Sequence, residues 1–176
     1  MVIMSKSKHL FPLVFVSSLL IACVSDKPVD DERNENLSKK KIMNSFPSDV
    51  TKANINISSF NGDLLITGQV PREELVKLAT VQANTLRNVR EVFNYLEVMG
   101  ETSFLSKAND RFITNRIRSR LQDSKLFRMK KIHIVTEYGV VYLMGTLNKE
   151  EIKMALTLIE ETNGVQKAVS LVRLKK

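Results

Sequence analysis

INISSFNGDLLITGQVPREE, residues 55 to 74, and IHIVTEYGVVYLMGTLNKEE, residues 132 to 151, superpose without a gap when the chain is slid along itself. Two isoleucines, two glycines and a Glu-Glu pair coincide, with Gly62 on Gly139 and Gly68 on Gly145. After a one-residue deletion Val89 falls on Val165, ahead of the runs REVFNYLEV and QKAVSLVRL. So many matches of different residue type mark a tandem repeat. Each copy is close to the smallest size at which a domain folds unaided.

Both copies follow one grammar. Ile55, Ile57 and Ser59 alternate with polar residues as in a half-buried strand, and Asn61-Gly62 makes a tight hairpin turn into a returning strand. Tyr138-Gly139 takes the same turn in the second copy. Gly68 and Gly145 stand where a missing side chain permits close packing or an unusual backbone angle. The next helix opens at Pro71 in one copy, and at Asn148 with Glu151 as a capping box in the other. Leu75, Leu78, Ala79 and Leu86, and likewise Ile152, Ala155, Leu156 and Ile159, repeat near helical spacing before a closing strand. Ile113, Ile117 and Leu121 mark one more helix ahead of the second hairpin. Its counterpart in the first copy is expected to be short or displaced, because Pro47 interrupts it and Leu37, Ile42, Met43 and Phe46 fit the period poorly.

The chain opens on a basic stretch carrying Lys6 and Lys8, then an apolar run from Leu10 to Ala22. That run suits a signal-peptide core and is short for a bilayer span. Leu20, Ile21, Ala22 and Cys23 resemble the bacterial lipobox, whose cysteine is acylated and becomes the first mature residue. Cys23 is the single cysteine, so no intramolecular disulfide holds the fold. Val24 after the cysteine, where inner-membrane lipoproteins tend to have Asp, implies the outer membrane and its periplasmic face. Residues 23 to 36 are polar and acidic, and are expected to form a flexible tether.

The repeats themselves resemble the BON domain, and the whole chain resembles the outer-membrane lipoproteins with two of them. The likeness is strongest over ANDRFITNRIRSRL and HIVTEYGVVYLMGTLNKEE. It implies an α+β fold of two tandem units, residues 37–100 and 101–176, after a signal peptide at 1–22. Each unit is a small three-stranded mixed sheet with two helices, in the order αββαβ. It also implies a non-catalytic protein that supports the envelope, with anionic phospholipid bound by the first helix of the second unit.

Charge favours that helix. Residues 23 to 100 carry ten Lys and Arg against eleven Asp and Glu, and residues 101 to 176 carry fifteen against eight. Nearly all the basic excess of the mature chain therefore lies in the second copy, and eight basic residues fall between Asn109 and Lys131 alone. On a helical wheel Arg111, Arg118 and Lys125 line one flank of the Ile113-Ile117-Leu121 stripe, and Phe112, Arg116 and Ser119 line the other. With Asn115 these are the expected phospholipid contacts, Phe112 entering the acyl boundary while guanidinium groups reach phosphate oxygens. The competing reading packs Phe112 at the seam between the repeats and leaves the arginines as a solvated face.

Other classes lack their residues. Export argues against a nucleic-acid partner, and no nucleic-acid motif is present. His133 is the one histidine of the mature chain, has no nucleophile motif beside it, and is expected at an exposed or edge position. No metal, cofactor or small-molecule substrate is expected. The rival function is a lipid-anchored adaptor for an envelope protein or peptidoglycan.

Overall fold

A computed structural model describes residues 30–100 and 103–175, so the leader, Cys23 and the first part of the tether lie outside the described residues. The order of elements is α1 (Asp31–Ser45), β1 (Asn54–Phe60), β2 (Asp63–Val70), α2 (Glu73–Asn84) and β3 (Glu91–Val98). The second copy continues with α3 (Phe104–Asp123), a 3-10 turn at Met129–Lys131, β4 (Ile132–Glu137), β5 (Val140–Leu147), α4 (Lys149–Glu160) and β6 (Lys167–Leu174). In each copy the hairpin is antiparallel, and the last strand returns through a helix to lie parallel to the middle strand.

Local chemistry places these elements. Asn61 and Tyr138 adopt φ of 53° and 51° ahead of Gly62 and Gly139, the left-handed pair that a two-residue hairpin turn requires. Asn148 and Glu151 form the capping box reciprocally at 2.8 Å. Gly68 has φ +116°, and a Cβ there would run into the carbonyl oxygen of Asn54 on the paired strand. Gly145 repeats the device, since a Cβ there would lie 2.6 Å from the carbonyl oxygen of Lys131.

The first helix corrects the sequence reading. It is a full helix of 15 residues and begins at Asp31, inside the segment expected as tether. Asp30 caps it by accepting from the Arg33 amide at 2.9 Å, while the Asp31 carboxylate accepts from the amides of Asn61 and Gly62 and from the Ser59 hydroxyl. Its buried positions are Asn34, Ser38 and Ile42, whereas Leu37 and Met43 are exposed. The Ser38 hydroxyl donates to the Asn34 carbonyl at 2.6 Å, which lets a polar side chain occupy a core-facing position. Hydrophobic periodicity misses such a stripe.

Each copy has its own core beneath its helices, built in one around Ile55, Leu64, Ile66 and Leu75 and in the other around Ile113, Ile117, Val141 and Leu143. Residues between these on the middle strands point the other way. Leu65, Tyr142, Met144 and Leu171, with Phe60 and Phe93 against them, form a third cluster in which the two sheets pack face to face. The result is helices, sheet, sheet, helices. Both faces of β2 are covered, so every one of its residues is buried. Burying a side chain such as Leu65 or Met144 stabilises by about 1.5–3 kcal/mol, so this shared layer couples two repeats that are individually small.

Polar groups close the edges of the shared layer. Asp63, on β2, is held by the guanidinium groups of both Arg90 and Arg173, and Arg173 also reaches Glu91. Burial pushes the Asp63 carboxyl up, but the two arginines outweigh it and hold the group below its ordinary range. His133 lies on the edge strand β4, as expected, but is half-buried there, stacking on Phe60 at 5.8 Å across the seam. Alternation alone placed it on the right face but could not show that a second sheet covers that face.

Burial, and then Arg118, hold His133 below its ordinary 6.5, against the pull of Asp31. The unfolded chain therefore binds the proton more readily than the native one, and stability is complete above that value and falls as pH drops below it. Asp63 acts in the same direction lower down, its contribution being lost as pH falls through its depressed native value. Melting temperature should decline on acidification from about pH 7.5 to 5, and His133→Phe, which keeps a ring against Phe60, should flatten that step. An unchanged slope in the variant would remove His133 from the account.

Candidate functional site: the first helix of the second repeat

Helix α3 starts at the Ser103 cap, whose hydroxyl accepts from the Ser106 amide at 3.2 Å. Ile113, Ile117 and Leu121 are its buried stripe, as the spacing predicts. Asp110 is buried beside them and accepts from the amides of Tyr138 and Gly139 at 2.8 and 2.9 Å. Asp31 holds the first hairpin in the same way. The two first helices are thus equivalent down to the carboxylate that clamps each turn.

What the helix presents outward divides into two flanks. On one, Phe112 is 58% exposed, with the Arg116 guanidinium 4.5 Å from its ring centroid. Leu105 is 78% exposed and lies two turns earlier on the same stripe, an exposed apolar residue that sequence reading missed. Its spacing of seven from Phe112 was the available signal. Ser119 and Asn115 are exposed on the crest between the flanks. Phe112 does not pack at the seam between the repeats.

Arg111 and Arg118 occupy the other flank, where Lys107, Thr136, Glu137 and Asn56 join them around an open cleft of about 420 Å³. Lys107 is a member that the sequence reading left out. Lys125 is not: the helix ends at Asp123, and Lys125, at φ +56°, sits in the turn beyond it. Arg120, between the flanks on the buried side, ties α3 to α4 by donating to the Leu158 carbonyl, the Thr162 hydroxyl and Glu161. Among the described residues no group of three His, Cys, Asp or Glu side chains could hold a metal ion.

The duplicated αββαβ unit coincides with a known domain family. The family model of the BON domain covers residues 34–100 and again 109–176. The chain belongs to the BON-domain family. The protein named outer membrane lipoprotein DolP, from Haemophilus influenzae, is 27% identical over 81% of this chain and 74% of its own. The 21 kDa hemolysin of Actinobacillus pleuropneumoniae is 25% identical over 85% of this chain and 74% of its own. The two matched BON segments each run from the first helix to the last strand, which agrees with the element order of the fold.

Proposed function

We propose that this BON-domain chain is an outer-membrane lipoprotein, anchored through acylated Cys23 on the periplasmic face, whose α3 binds anionic phospholipid and so supports envelope integrity. The observation that carries the reading is the outward stripe of Leu105 and Phe112 on a helix whose core-facing side is already filled. Exposed apolar side chains beside Arg111, Arg116 and Arg118 match an interfacial helix, the ring and branches entering the acyl boundary and the guanidinium groups taking phosphate oxygens. The name borne by the Haemophilus relative supports the lipoprotein and outer-membrane parts. No helix among the described residues is long and apolar enough to cross a membrane, so contact through α3 would lie in the interface plane.

Each basic side chain near an anionic surface contributes ~1 kcal/mol, so a few of them give weak, salt-sensitive attachment. A lipid anchor raises the local concentration of membrane enough to make weak attachment effective. The chain from Val24 onward, lacking acyl groups, should sediment with phosphatidylglycerol vesicles at low salt, release at moderate salt, and ignore phosphatidylcholine vesicles. Binding to neither would favour the adaptor reading, for which an apolar groove of about 510 Å³ edged by Leu126, Met154 and Leu158 is the candidate docking surface. Radioactive fatty acid should label the full chain and not Cys23→Ser. Label in both, or in neither, would reject the anchor.

A further inference from the structure

The two repeats differ at one place where their symmetry predicts likeness. Because Asp31 and Asp110 clamp equivalent turns, Glu32 corresponds to Arg111, Glu35 to Thr114 and Lys39 to Arg118. In the hairpins Asn56 corresponds to His133, Ser59 to Thr136 and Phe60 to Glu137. In the first repeat the helix side of this place carries Glu32 and Glu35. The Glu35 carboxylate accepts from the Ser59 amide at 2.7 Å, and Phe60 stacks on His133. The second repeat has its cleft there, with Arg111 at the rim in place of Glu32.

The groups around this cleft are unevenly committed. Asp110 spends both carboxylate oxygens on the turn amides. Glu137 accepts from the Asn56 and Gln69 amide groups, each at 2.8 Å, which fixes it across the seam between the repeats. The Lys107 ammonium donates to the Asn54 side chain at 3.1 Å, and Thr114 donates to Thr136. Arg111 and Arg118 make no hydrogen bond or ion pair among the described residues, and line the same cleft from positions two turns apart on α3. Two guanidinium forks lining one polar hollow, with a preset ammonium beside them, suit an oxyanion better than they suit a flat surface. Glu137, Asn56 and Asn115 at its rim add acceptors for a ligand that carries donors of its own.

We infer that the cleft between α3 and the β1–β4 seam is a phosphate-binding site, with Arg111 and Arg118 as its forks and Lys107 as its third cation. The ligand class is a phosphate ester, either free or as the headgroup of a phospholipid. The inference rests on the membrane reading only for the lipid source. It divides α3 into a phosphate-reading flank and an inserting flank that Phe112 and Leu105 supply. Site and seam are also linked, since Asn56 of the first repeat helps to line a cleft otherwise built from the second.

Titration of the chain from Val24 onward with inorganic phosphate, with glycerol 3-phosphate and with phosphatidylglycerol vesicles tests this, followed by amide chemical shifts at constant ionic strength. Saturable shifts centred on Arg111 to Arg118, absent with chloride, are expected, and Arg118→Gln should weaken them at least tenfold. Arg128→Gln removes the same charge from an exposed position outside the cleft and should change affinity by less than twofold. Saturation by the soluble esters identifies a site for free phosphate esters, and shifts of these residues with vesicles alone identify a headgroup site. Phe112→Glu should leave soluble-ester binding intact. No saturable shift with any probe, or equal losses in Arg118→Gln and Arg128→Gln, would overturn the cleft. Vesicle binding lost in Phe112→Glu but unchanged in Arg118→Gln, with no saturable shift from the soluble esters, would overturn it while leaving the membrane reading in place.

Discussion

Met144→Asp should unfold both repeats in one transition. Met144 is 1% exposed and lies in the layer where the sheets meet, with Leu65, Tyr142 and Leu171. A lone carboxylate there has no partner, and burying a charge unpaired costs several kcal/mol, against a total stability of about 5–15 kcal/mol for a small protein. The informative residues are in the other repeat. Amide resonances of Leu75 and Ala79, in the separate core of the first repeat, should lose their native positions together with those of the second. Retention of native shifts in the first repeat while the second collapses would show two independent domains and contradict the shared layer.

The second large effect is on membrane contact. Phe112→Glu places a negative charge where the account puts the deepest apolar contact, so it both removes insertion and repels an anionic surface. Because Phe112 is exposed and Ile113, Ile117 and Leu121 hold the helix, melting temperature should change little while sedimentation with phosphatidylglycerol vesicles falls at least tenfold. Leu105→Glu should have a smaller effect in the same direction. Wild-type sedimentation in Phe112→Glu would rule the ring out as a contact.

Much of the fold is legible in the repeat. Turn chemistry at Asn61-Gly62 and Tyr138-Gly139 sets the hairpins, and the Gly68 and Gly145 matches mark close approaches that the backbone makes unavoidable. The first helix was read poorly for a definite reason. Its core-facing line is Asn34, Ser38 and Ile42, so two of three buried positions are polar, and an apolar count finds exposed Leu37 and Met43 instead. The better signal was Asp31 set against Asp110, with Asn36 against Asn115, in DERNENLSKKKI and DRFITNRIRSRL. Turn-clamping by a carboxylate leaves no hydrophobic period.

The candidate site was legible in part. Phe112 off the core stripe follows from spacing alone, and the structure leaves it exposed. Lys107 joins the cleft because α3 begins at Phe104, ahead of the Ile113-Ile117-Leu121 stripe, and Lys125 falls outside it because the helix ends at Asp123. The roles of Asn56 and His133 depend on the two sheets meeting, a contact between residues far apart in sequence that no local pattern encodes. The one hint was the unbroken run DLLITGQV, whose strand has no solvent face.

Because the chain has no tryptophan, Phe112→Trp supplies a single reporter at the proposed point of insertion. Its emission should shift to the blue on adding phosphatidylglycerol vesicles, should be quenched by lipids brominated on their acyl chains, and should not respond to phosphatidylcholine vesicles. Unshifted, unquenched emission from protein that has demonstrably sedimented with the anionic vesicles would contradict insertion through α3.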